Sequence, residues 1–393
     1  MMTLIKNALV FGPAPAGQKD ILIAGEKVID LAEPGTVKVK GIPVEVLEAR
    51  GKIALPGLVD PHVHILGGGG EGGPATRAPE IHLEDIVSSG VTTLIGCLGT
   101  DGISRHMTSL LAKARALDAE GITAFIFSGS YEVPPQTITG SVRSDLVLID
   151  KVIGAGEIAV SDHRSSQPTF EEIARLAAEC RVGGMLGAKA GILHLHLGDG
   201  KRRLEMLFRL IRETEIPPTQ VIPTHVNRNK ELFAEALRFA LAGGAFDLTA
   251  GPEPAQGSGE VSVAEALRAC RRKRVPLEQV TVSSDSNGSL PVFDQGGNLV
   301  GLTIARQKDL LQTFQSLLRE KIVSLEEAAR LFSANAAAIY KLASKGGIQP
   351  GRDADIILLD DRFELSDVLA RGRRMMAERK LLARRTFRPA GKG

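Results

Sequence analysis

Short apolar segments alternate with longer amphipathic segments through the central part of the chain. The apolar segments have the length of strands, and the amphipathic segments have the length and apolar spacing of helices. The predicted strands cover residues 53–63, 91–98, 122–128, 157–162, 192–197, 220–226, 245–250 and 279–284. The predicted helices cover residues 104–120, 169–179, 201–213, 230–242 and 261–272.

Eight strands with helices between them predict an α/β fold of the (β/α)8 TIM-like barrel type. A doubly wound open sheet is the alternative for this alternation. It is disfavoured because no G-x-G-x-x-G turn follows the first strand and because polar residues end nearly every strand. We therefore expect the polar strand ends to converge at one end of a barrel.

The two ends of the chain have a different pattern, in which Gly and Pro residues separate short strands. These strands are predicted at residues 4–10, 20–24, 27–31, 37–39, 44–48 and 354–359. They predict a small β-sandwich domain that both termini build together, from residues 1–55 and 345–393. Residues 56–344 would then form the barrel.

Composition and charge indicate which binding partners and which cellular location to expect. The chain has 48 basic and 46 acidic residues and a formal net charge of +2, which disfavours a nucleic-acid partner. No apolar run reaches the ~18 residues of a membrane span, so no membrane association is expected. Cys97, Cys180 and Cys270 are far apart and odd in number, which predicts reduced thiols and a cytoplasmic location.

Histidines concentrate at the predicted strand ends. His62 and His64 are two residues apart on the first barrel strand, so their imidazoles point to the same face and can bind one ion. Further candidate ligands end later strands, namely His196, His225 and Asp285. A single histidine is more often a structural residue, but this set together predicts a metal centre. His194 would lie deeper and contact a ligand rather than the ion.

These residues belong to longer motifs that resemble the amidohydrolase superfamily, and within it the isoaspartyl (β-aspartyl) dipeptidases. The motifs are GLVDPHVHILGGGGEGGPATR at 57–77, GVTTLIGCLGTDGISRH at 90–106, SGSYEVPPQTITGSVRSDL at 128–146, AVSDHRSSQP at 159–168, PTHVNR at 223–228 and SSDSNGSLP at 283–291. The His-x-His pair is shared across the superfamily, whereas GGGGEGGP, SYEVPPQTITGS and PTHVNR are specific to the subfamily.

The resemblance implies hydrolysis of an isopeptide bond at a centre of two divalent ions. His62, His64 and Asp285 would hold the more buried ion, and His196 and His225 the second. A water bridging the ions would be the nucleophile, and Asp285 would move its proton to the leaving amine. Zinc suits imidazole and carboxylate ligands.

One position departs from the family pattern. A carbamylated lysine bridges the two ions in the family, seven residues before the Arg of SDHR, and this chain has Glu157 there. We interpret the Glu157 carboxylate as a shorter replacement that keeps the two oxygen donors. A lost ligand with a crippled or mononuclear site is the alternative. Lys151 and Lys189 are other candidate carbamate sites away from the matching strand end.

The resemblance also implies a substrate pocket on the loops. Glu71 would pair with the substrate ammonium, and Gly69 and Gly70 would let backbone amides approach it; an incidental Glu in a flexible loop is the alternative. Arg164 and Arg228 would bind carboxylates through their guanidinium forks. The remaining implied contacts are hydroxyl groups: Thr100, Ser289, and Tyr131 as the oxyanion donor.

Two other functions compete with dipeptide hydrolysis. One is another amidohydrolase activity, on a cyclic amide or an N-acyl amino acid. The acidic Glu71 with two arginines discriminates against it, because a neutral ring needs no such set. A non-catalytic barrel without metal would not need four histidines and Asp285 at the strand ends. The resemblance further suggests that the chain forms a homo-oligomer and takes a small dipeptide as its substrate.

Overall fold

The computed structural model describes residues 2–255, 258–293, 299–383 and 386. The strands are β1 (Met2–Phe11), β2 (Pro15–Ala24), β3 (Lys27–Ala32), β4 (Val44–Glu48), β5 (Ile53–Pro56), β6 (Leu58–Val63), β7 (Val91–Gly96), β8 (Thr123–Ser128), β9 (Val152–Val160), β10 (Ile192–Leu197), β11 (Val221–Thr224), β12 (Phe246–Thr249), β13 (Val280–Ser283), β14 (Ser289–Phe293), β15 (Leu299–Ile304), β16 (Ile356–Leu359), β17 (Leu365–Ala370), β18 (Arg373–Ala377) and β19 (Lys380–Leu381).

Helices lie between the central strands and after them. They are α1 (Leu83–Ser88), α2 (Met107–Glu120), α3 (Val142–Leu148), α4 (Phe170–Leu186), α5 (Glu205–Glu213), α6 (Lys230–Leu241), α7 (Val263–Lys273), α8 (Gln307–Arg319), α9 (Leu325–Ala329) and α10 (Asn335–Ile339). A π-helical turn, Arg330–Ala334, joins the last two. In the part of the chain that the structure describes, no helix has both the length and the apolar character that crossing a bilayer requires.

The central strands are parallel. Strands β6 to β11 form one six-stranded sheet in chain order, and β12 pairs with β13. Nearly all of their residues are buried, as in a parallel sheet covered on both faces. A bridge between Val63 and Ser286 links the ends of β6 and β13. The strands therefore have the arrangement of a TIM-like fold, although backbone ladders do not join all eight into a ring among the described residues.

Strands from both termini share a second sheet. Its order is β19-β18-β17-β16-β5-β1-β2-β3, with β4 pairing against β1. The N- and C-terminal segments meet where β5 pairs antiparallel with β16. The strands form one curved sheet rather than two hydrogen-bonded layers, so the sandwich stays a prediction. The end of the predicted domain, residues 384–385 and 387–393, lies outside the described residues.

Several predicted elements differ from the structure. The predicted strand 53–63 is two strands, because the chain leaves the terminal sheet at Gly57. There the backbone N–H of Gly57 donates to the Asp355 carbonyl, and a Cβ would come within 2.2 Å of Thr92 Oγ1. The strand predicted at 157–162 begins five residues earlier, and the strand predicted at 37–39 is wrong, because these residues have no ladder partner.

Apolar packing surrounds the barrel strands on both sides. The largest core lies between the parallel sheet and its helices, and residues such as Leu94, Leu193 and Phe314 are fully buried in it. The helix ends are well defined; for example, Thr169 caps α4 by accepting from the Glu172 backbone N–H while the Glu172 carboxylate accepts from that of Thr169. This packing fixes the strands from whose ends the polar residues project.

Candidate metal centre

Six side chains meet at the carboxyl ends of the central strands. They are called the inner set here: His62, His64, Glu157, His196, His225 and Asp285. All six are buried, with exposures between 0% and 8%. They come from β6, β9 and β10 and from the residues directly after β6, β11 and β13. In a parallel barrel this end gathers residues from different strands into one site.

Glu157 divides its two oxygens among the histidines. Its Oε1 lies 3.3 Å from His64 Nε2. Its Oε2 lies 3.0 Å from His196 Nδ1, 3.5 Å from His62 Nε2 and 3.6 Å from His225 Nε2. One carboxylate therefore faces two groups of imidazoles at once.

Asp285 is a second carboxylate that contacts the His62 and His64 pair. Its Oδ1 lies 3.4 Å from His62 Nε2 and 3.1 Å from His64 Nε2. The backbone of Asp285 is left-handed at φ 52°, and that of His225 at φ 60°. Because this conformation is unfavourable for residues with a Cβ, the surrounding structure must hold both residues in place.

The donors fit divalent cations. Glu157 Oε1 and Asp285 Oδ1 are buried, and apart from their contacts with the imidazoles neither has a hydrogen-bond partner within the described residues. A buried carboxylate oxygen without a partner is costly, and a cation satisfies it. Tetrahedral zinc at ~2.0–2.2 Å from nitrogen and oxygen ligands spaces those ligands about 3.4 Å apart. The spacings of the inner set are close to this value.

Three overlapping groups could each hold an ion, since their ligand atoms lie within 4.8 Å of one another. The groups are His62 with His64, Cys97 and Glu157; His62 with His225 and Asp285; and Glu157 with His196 and His225. The sequence interpretation did not include Cys97 among the ligands.

Neighbouring polar groups orient the imidazoles. His62 Nδ1 lies 2.8 Å from His194 Nε2. The other ring nitrogen of His194, Nδ1, lies 3.1 Å from the Tyr340 hydroxyl. His225 Nδ1 lies 2.7 Å from Thr249 Oγ1. Such partners fix which ring nitrogen is free for an ion. The placement of His194 agrees with its expected supporting position.

Burial and charge set the protonation of the site. Burial would raise the pKa of Glu157, but the charges of His62 and His196 hold it well below its ordinary value. Burial lowers the pKa of His225 to about 3, so this ring is neutral. Burial and the charge of Glu157 raise the pKa of Tyr131 well above its ordinary value, so the phenol keeps its proton.

Glycine is required next to Glu157. A Cβ on Gly156 would lie 2.8 Å from the His194 carbonyl oxygen. This contact lets β9 approach β10 closely where Glu157 projects toward His196. Neither alternative lysine is near: Lys151 pairs with Asp118, and the Lys189 ammonium donates to the Ile149 carbonyl.

A second group of residues lies outside the inner set, on loops and at the start of β14. It is called the outer ring here: Glu71, Thr100, Arg164, Arg228 and Ser289. Thr100 Oγ1 donates to Glu71 Oε1 at 2.8 Å, and Arg164 Nη1 lies 3.4 Å from the same oxygen. The side chains of Arg164 and Glu71 are 24% and 28% exposed.

Arg228 and Ser289 follow inner-set residues closely in the chain. The Arg228 backbone N–H donates to the His225 carbonyl, and its buried Nε has no hydrogen-bond partner among the described residues. Ser289 begins β14 and lies beside Gly69. A Cβ added to Gly69 would lie 3.3 Å from the Cβ of Ser289. The Gly70 carbonyl accepts from the Gly73 N–H and closes the turn that carries Glu71.

Tyr131 connects the two groups. Its hydroxyl lies 2.9 Å from His196 Nδ1, and the Arg164 guanidinium lies 5.3 Å from its ring centre. Asp162, which the sequence interpretation missed, accepts from Arg164 at 2.8 Å and lies 3.1 Å from His196 Nε2. Its position two residues before Arg164 in SDHR was the available signal.

Arg105 is a second residue that the sequence interpretation missed. It is 4% exposed, and its guanidinium donates to the carbonyls of Leu66, Gly68, Gly69 and Ala78. It also pairs with Asp101 at 3.1 Å. A buried arginine therefore holds the glycine-rich loop that leads to Glu71. Its place in the GTDGISRH motif was the only signal.

The Amidohydrolase family model matches residues 53–376 of the chain. The chain belongs to the amidohydrolase family. The β-aspartyl dipeptidase of the thermophilic, keratin-degrading Fervidobacterium islandicum AW-1, solved in complex with β-Asp-Leu dipeptide, has a TM-score of 0.91 and 47% identity, with 97% of each chain covered. This similarity confirms the resemblance inferred from the motifs.

More distant relatives of this amidohydrolase have other names. A dihydroorotase of Streptococcus thermophilus strain CNRZ 1066 is 22% identical over 407 residues, covering 92% of this chain and 90% of its own length. A D-hydantoinase structure has a TM-score of 0.68 at 15% identity, with 98% of this chain and 97% of its own covered. The second similarity supports the TIM-like fold alone.

Proposed function

We propose that this amidohydrolase hydrolyses the isopeptide bond of β-aspartyl dipeptides. The observation that carries the proposal is its 47% identity, over 97% of the chain, to a β-aspartyl dipeptidase whose structure contains β-Asp-Leu. The inner set and the outer ring supply the two kinds of chemistry that such a reaction needs. These are groups that hold cations and groups that recognise the ammonium and the two carboxylates of the dipeptide.

The inner set would hold two divalent ions, which we propose to be zinc. His62, His64 and Asp285 would surround one position, and His196 and His225 the other. We assign the bridge to Glu157, because its Oε1 faces His64 and its Oε2 faces His196 and His225. When bound, the ions would acidify a water molecule and polarise the scissile carbonyl.

Two residues would move charge during the reaction. Asp285 has a buried oxygen without a partner other than the imidazoles and is the one acid of the inner set besides the bridge. It would accept a proton from the attacking water and deliver it to the leaving amine. Tyr131 keeps its proton, so its hydroxyl can donate to the oxygen that becomes negative.

The outer ring would recognise the charges of the dipeptide. Glu71 would pair with the free α-ammonium, and the backbone of Gly69 and Gly70 would approach it. Arg164 and Arg228 would pair with the two carboxylates through their guanidinium groups. Thr100 and Ser289 would supply further hydroxyl contacts.

The test is a substrate comparison with the purified, zinc-loaded protein. We expect turnover of β-Asp-Leu and little turnover of α-Asp-Leu or of N-acetyl-β-Asp-Leu, because these lack the matching charge or bond. Hydantoin and dihydroorotate test the cyclic-amide alternative. Preferred turnover of a cyclic amide, or equal turnover of blocked and free dipeptides, would refute the proposal.

Four further proposals concern the architecture, the location and the assembly of the protein. We propose that the central strands close into a full barrel over residues 56–344. Residues 1–55 and 345–393 would form a separate β-sandwich domain. The three cysteines are buried as free thiols, which supports a cytoplasmic location. The dipeptidase resemblance supports a homo-oligomer, which sedimentation would measure.

A further inference from the structure

Cys97 lies directly after β7, at the same end of the central strands as the inner set. It is 1% exposed. Its Sγ lies 3.6 Å from His62 Nε2 and 3.9 Å from His64 Nδ1. The thiol is therefore within the site, on the side of the His-x-His pair.

A second observation indicates that this corner accepts a cation. Glu157 Oε1 is fully buried and, apart from its contact with His64, lacks a hydrogen-bond partner within the described residues. It belongs to the same group as Cys97, in which all four ligand atoms lie within 4.8 Å of one another. A thiol and an unsatisfied carboxylate oxygen thus point into one space between His62 and His64.

The spacing agrees with shared coordination. At an N–Zn–S angle of about 110°, Zn–N of ~2.0–2.1 Å and Zn–S of ~2.3 Å separate the nitrogen and sulfur ligands by about 3.6 Å. This equals the distance from Cys97 Sγ to His62 Nε2. Without an ion, the thiol can instead hydrogen-bond to an imidazole nitrogen of His62 or His64 or to the Val63 carbonyl, also at 3.6 Å. Such a hydrogen bond would be weak and would leave the carboxylate unsatisfied.

The other two cysteines do not share this environment. Cys180 lies in α4 and Cys270 in α7, and both are buried among apolar side chains of the large core. They serve as matched controls, because a general property of buried thiols would apply to all three residues.

We propose that Cys97 is a further ligand of the ion that His62 and His64 would hold. On binding, the thiol releases its proton to solvent and a sulfur–metal bond forms. A thiolate is a soft donor, so this position would favour zinc, cobalt or cadmium over magnesium or manganese. The inference rests on the two-ion centre of the proposed function.

X-ray absorption at the zinc edge of the zinc-loaded, full-length protein tests the inference. We expect a sulfur scatterer at ~2.3 Å, about one for every two zinc ions. Cys97→Ser should lose this signal while keeping nitrogen and oxygen scatterers. The Cys180→Ser/Cys270→Ser double variant should keep it. With cobalt, the wild type should show a sulfur-to-metal charge-transfer band that Cys97→Ser lacks.

The outcomes separate this inference from the proposed function. Two bound zinc ions with nitrogen and oxygen neighbours alone would overturn the Cys97 ligand and leave the hydrolase proposal standing. A sulfur signal that persists in Cys97→Ser would also overturn it. Failure to bind any ion would overturn both. Sulfur coordination without dipeptide turnover would support the ligand and refute the function.

Discussion

The inner set and the outer ring differ in how they are held. The inner set lies on or directly after strands, is buried, and each imidazole has a carboxylate within 3.6 Å. The outer ring lies on loops and at the start of β14, and Glu71 and Arg164 are about a quarter exposed. The strands thus position the groups suited to cations rigidly, whereas the loops position the groups suited to substrate charges. Substitutions in the two regions should therefore have separable effects.

The largest effect is expected at the bridge. Glu157→Ala should lose one or both ions and reduce turnover below detection, because two cations repel strongly without a shared anion. Metal analysis and the β-Asp-Leu assay measure this. Lys151→Met and Lys189→Met are the controls and should keep both ions.

Dependence on carbon dioxide distinguishes a glutamate bridge from a carbamylated lysine. A glutamate bridge needs no carbamate, so zinc should restore the apo-protein equally in degassed and bicarbonate-containing buffer. Bicarbonate should not rescue Glu157→Ala. Two ions and full turnover in Glu157→Ala would assign the bridge to another residue.

Asp285→Asn should follow in size. We expect turnover to fall about 10²–10⁴-fold, because the variant lacks the group that moves the proton. It also weakens one ligand of the His62 and His64 ion, so metal content must be measured beside kcat. A metal-loaded variant with nearly normal kcat would remove Asp285 from the mechanism.

Arg228→Ala tests whether the outer ring acts on substrate alone. It should cost about 2–5 kcal/mol of substrate binding, since a desolvated carboxylate loses its partner. The effect should appear in kcat/KM, with both ions retained. Arg202→Ala, at an exposed arginine that donates to Gln167, is the control and should change neither. Loss of metal in Arg228→Ala would contradict the view that the outer ring and the inner set have separate roles.

Arg105→Lys should have the smallest effect. Lysine keeps the charge but cannot donate to four carbonyls as the guanidinium does. We expect KM for β-Asp-Leu to rise about tenfold, as one or two hydrogen bonds to the loop are lost. Metal content should not change. If kcat falls at unchanged KM, Arg105 does more than hold the loop; the exposed Arg115→Lys is the comparison.

The strand ends and the supporting His194 were predictable from the sequence, and the other supports around them were not. His62 and His64 share a face because side chains alternate along a strand, so their spacing alone predicts a common ligand. Arg105 and Asp162 act through loop folding, which leaves no periodic signal. Thr249 meets His225 only because β12 follows β11 in space.

The break between two strands and the position of one hairpin were also not predictable from the sequence. The break at Gly57 depends on contacts with Thr92 and Asp355, which are remote in the chain. The β14–β15 hairpin was not predicted either, because strand periodicity is weak over its short segments. The sequence predicted Cys97 only as a reduced thiol, since a single cysteine has no spacing that distinguishes a ligand from a core residue.

The contact between Glu71 and Arg164 has a consequence for selectivity. Without substrate, these two side chains neutralise each other at 3.4 Å, with Thr100 as a further partner of Glu71. A ligand with an ammonium alone leaves Arg164 with Asp162 as its remaining counterion, and a ligand with a carboxylate alone leaves Glu71 with only the Thr100 hydroxyl. A dipeptide that carries both an ammonium and a carboxylate exchanges one internal ion pair for two intermolecular ones. The Glu71–Arg164 ion pair therefore competes with substrate binding. A ligand that carries both charges in matching positions supplies a new partner for each side chain, so its binding is favoured over that of a singly charged ligand.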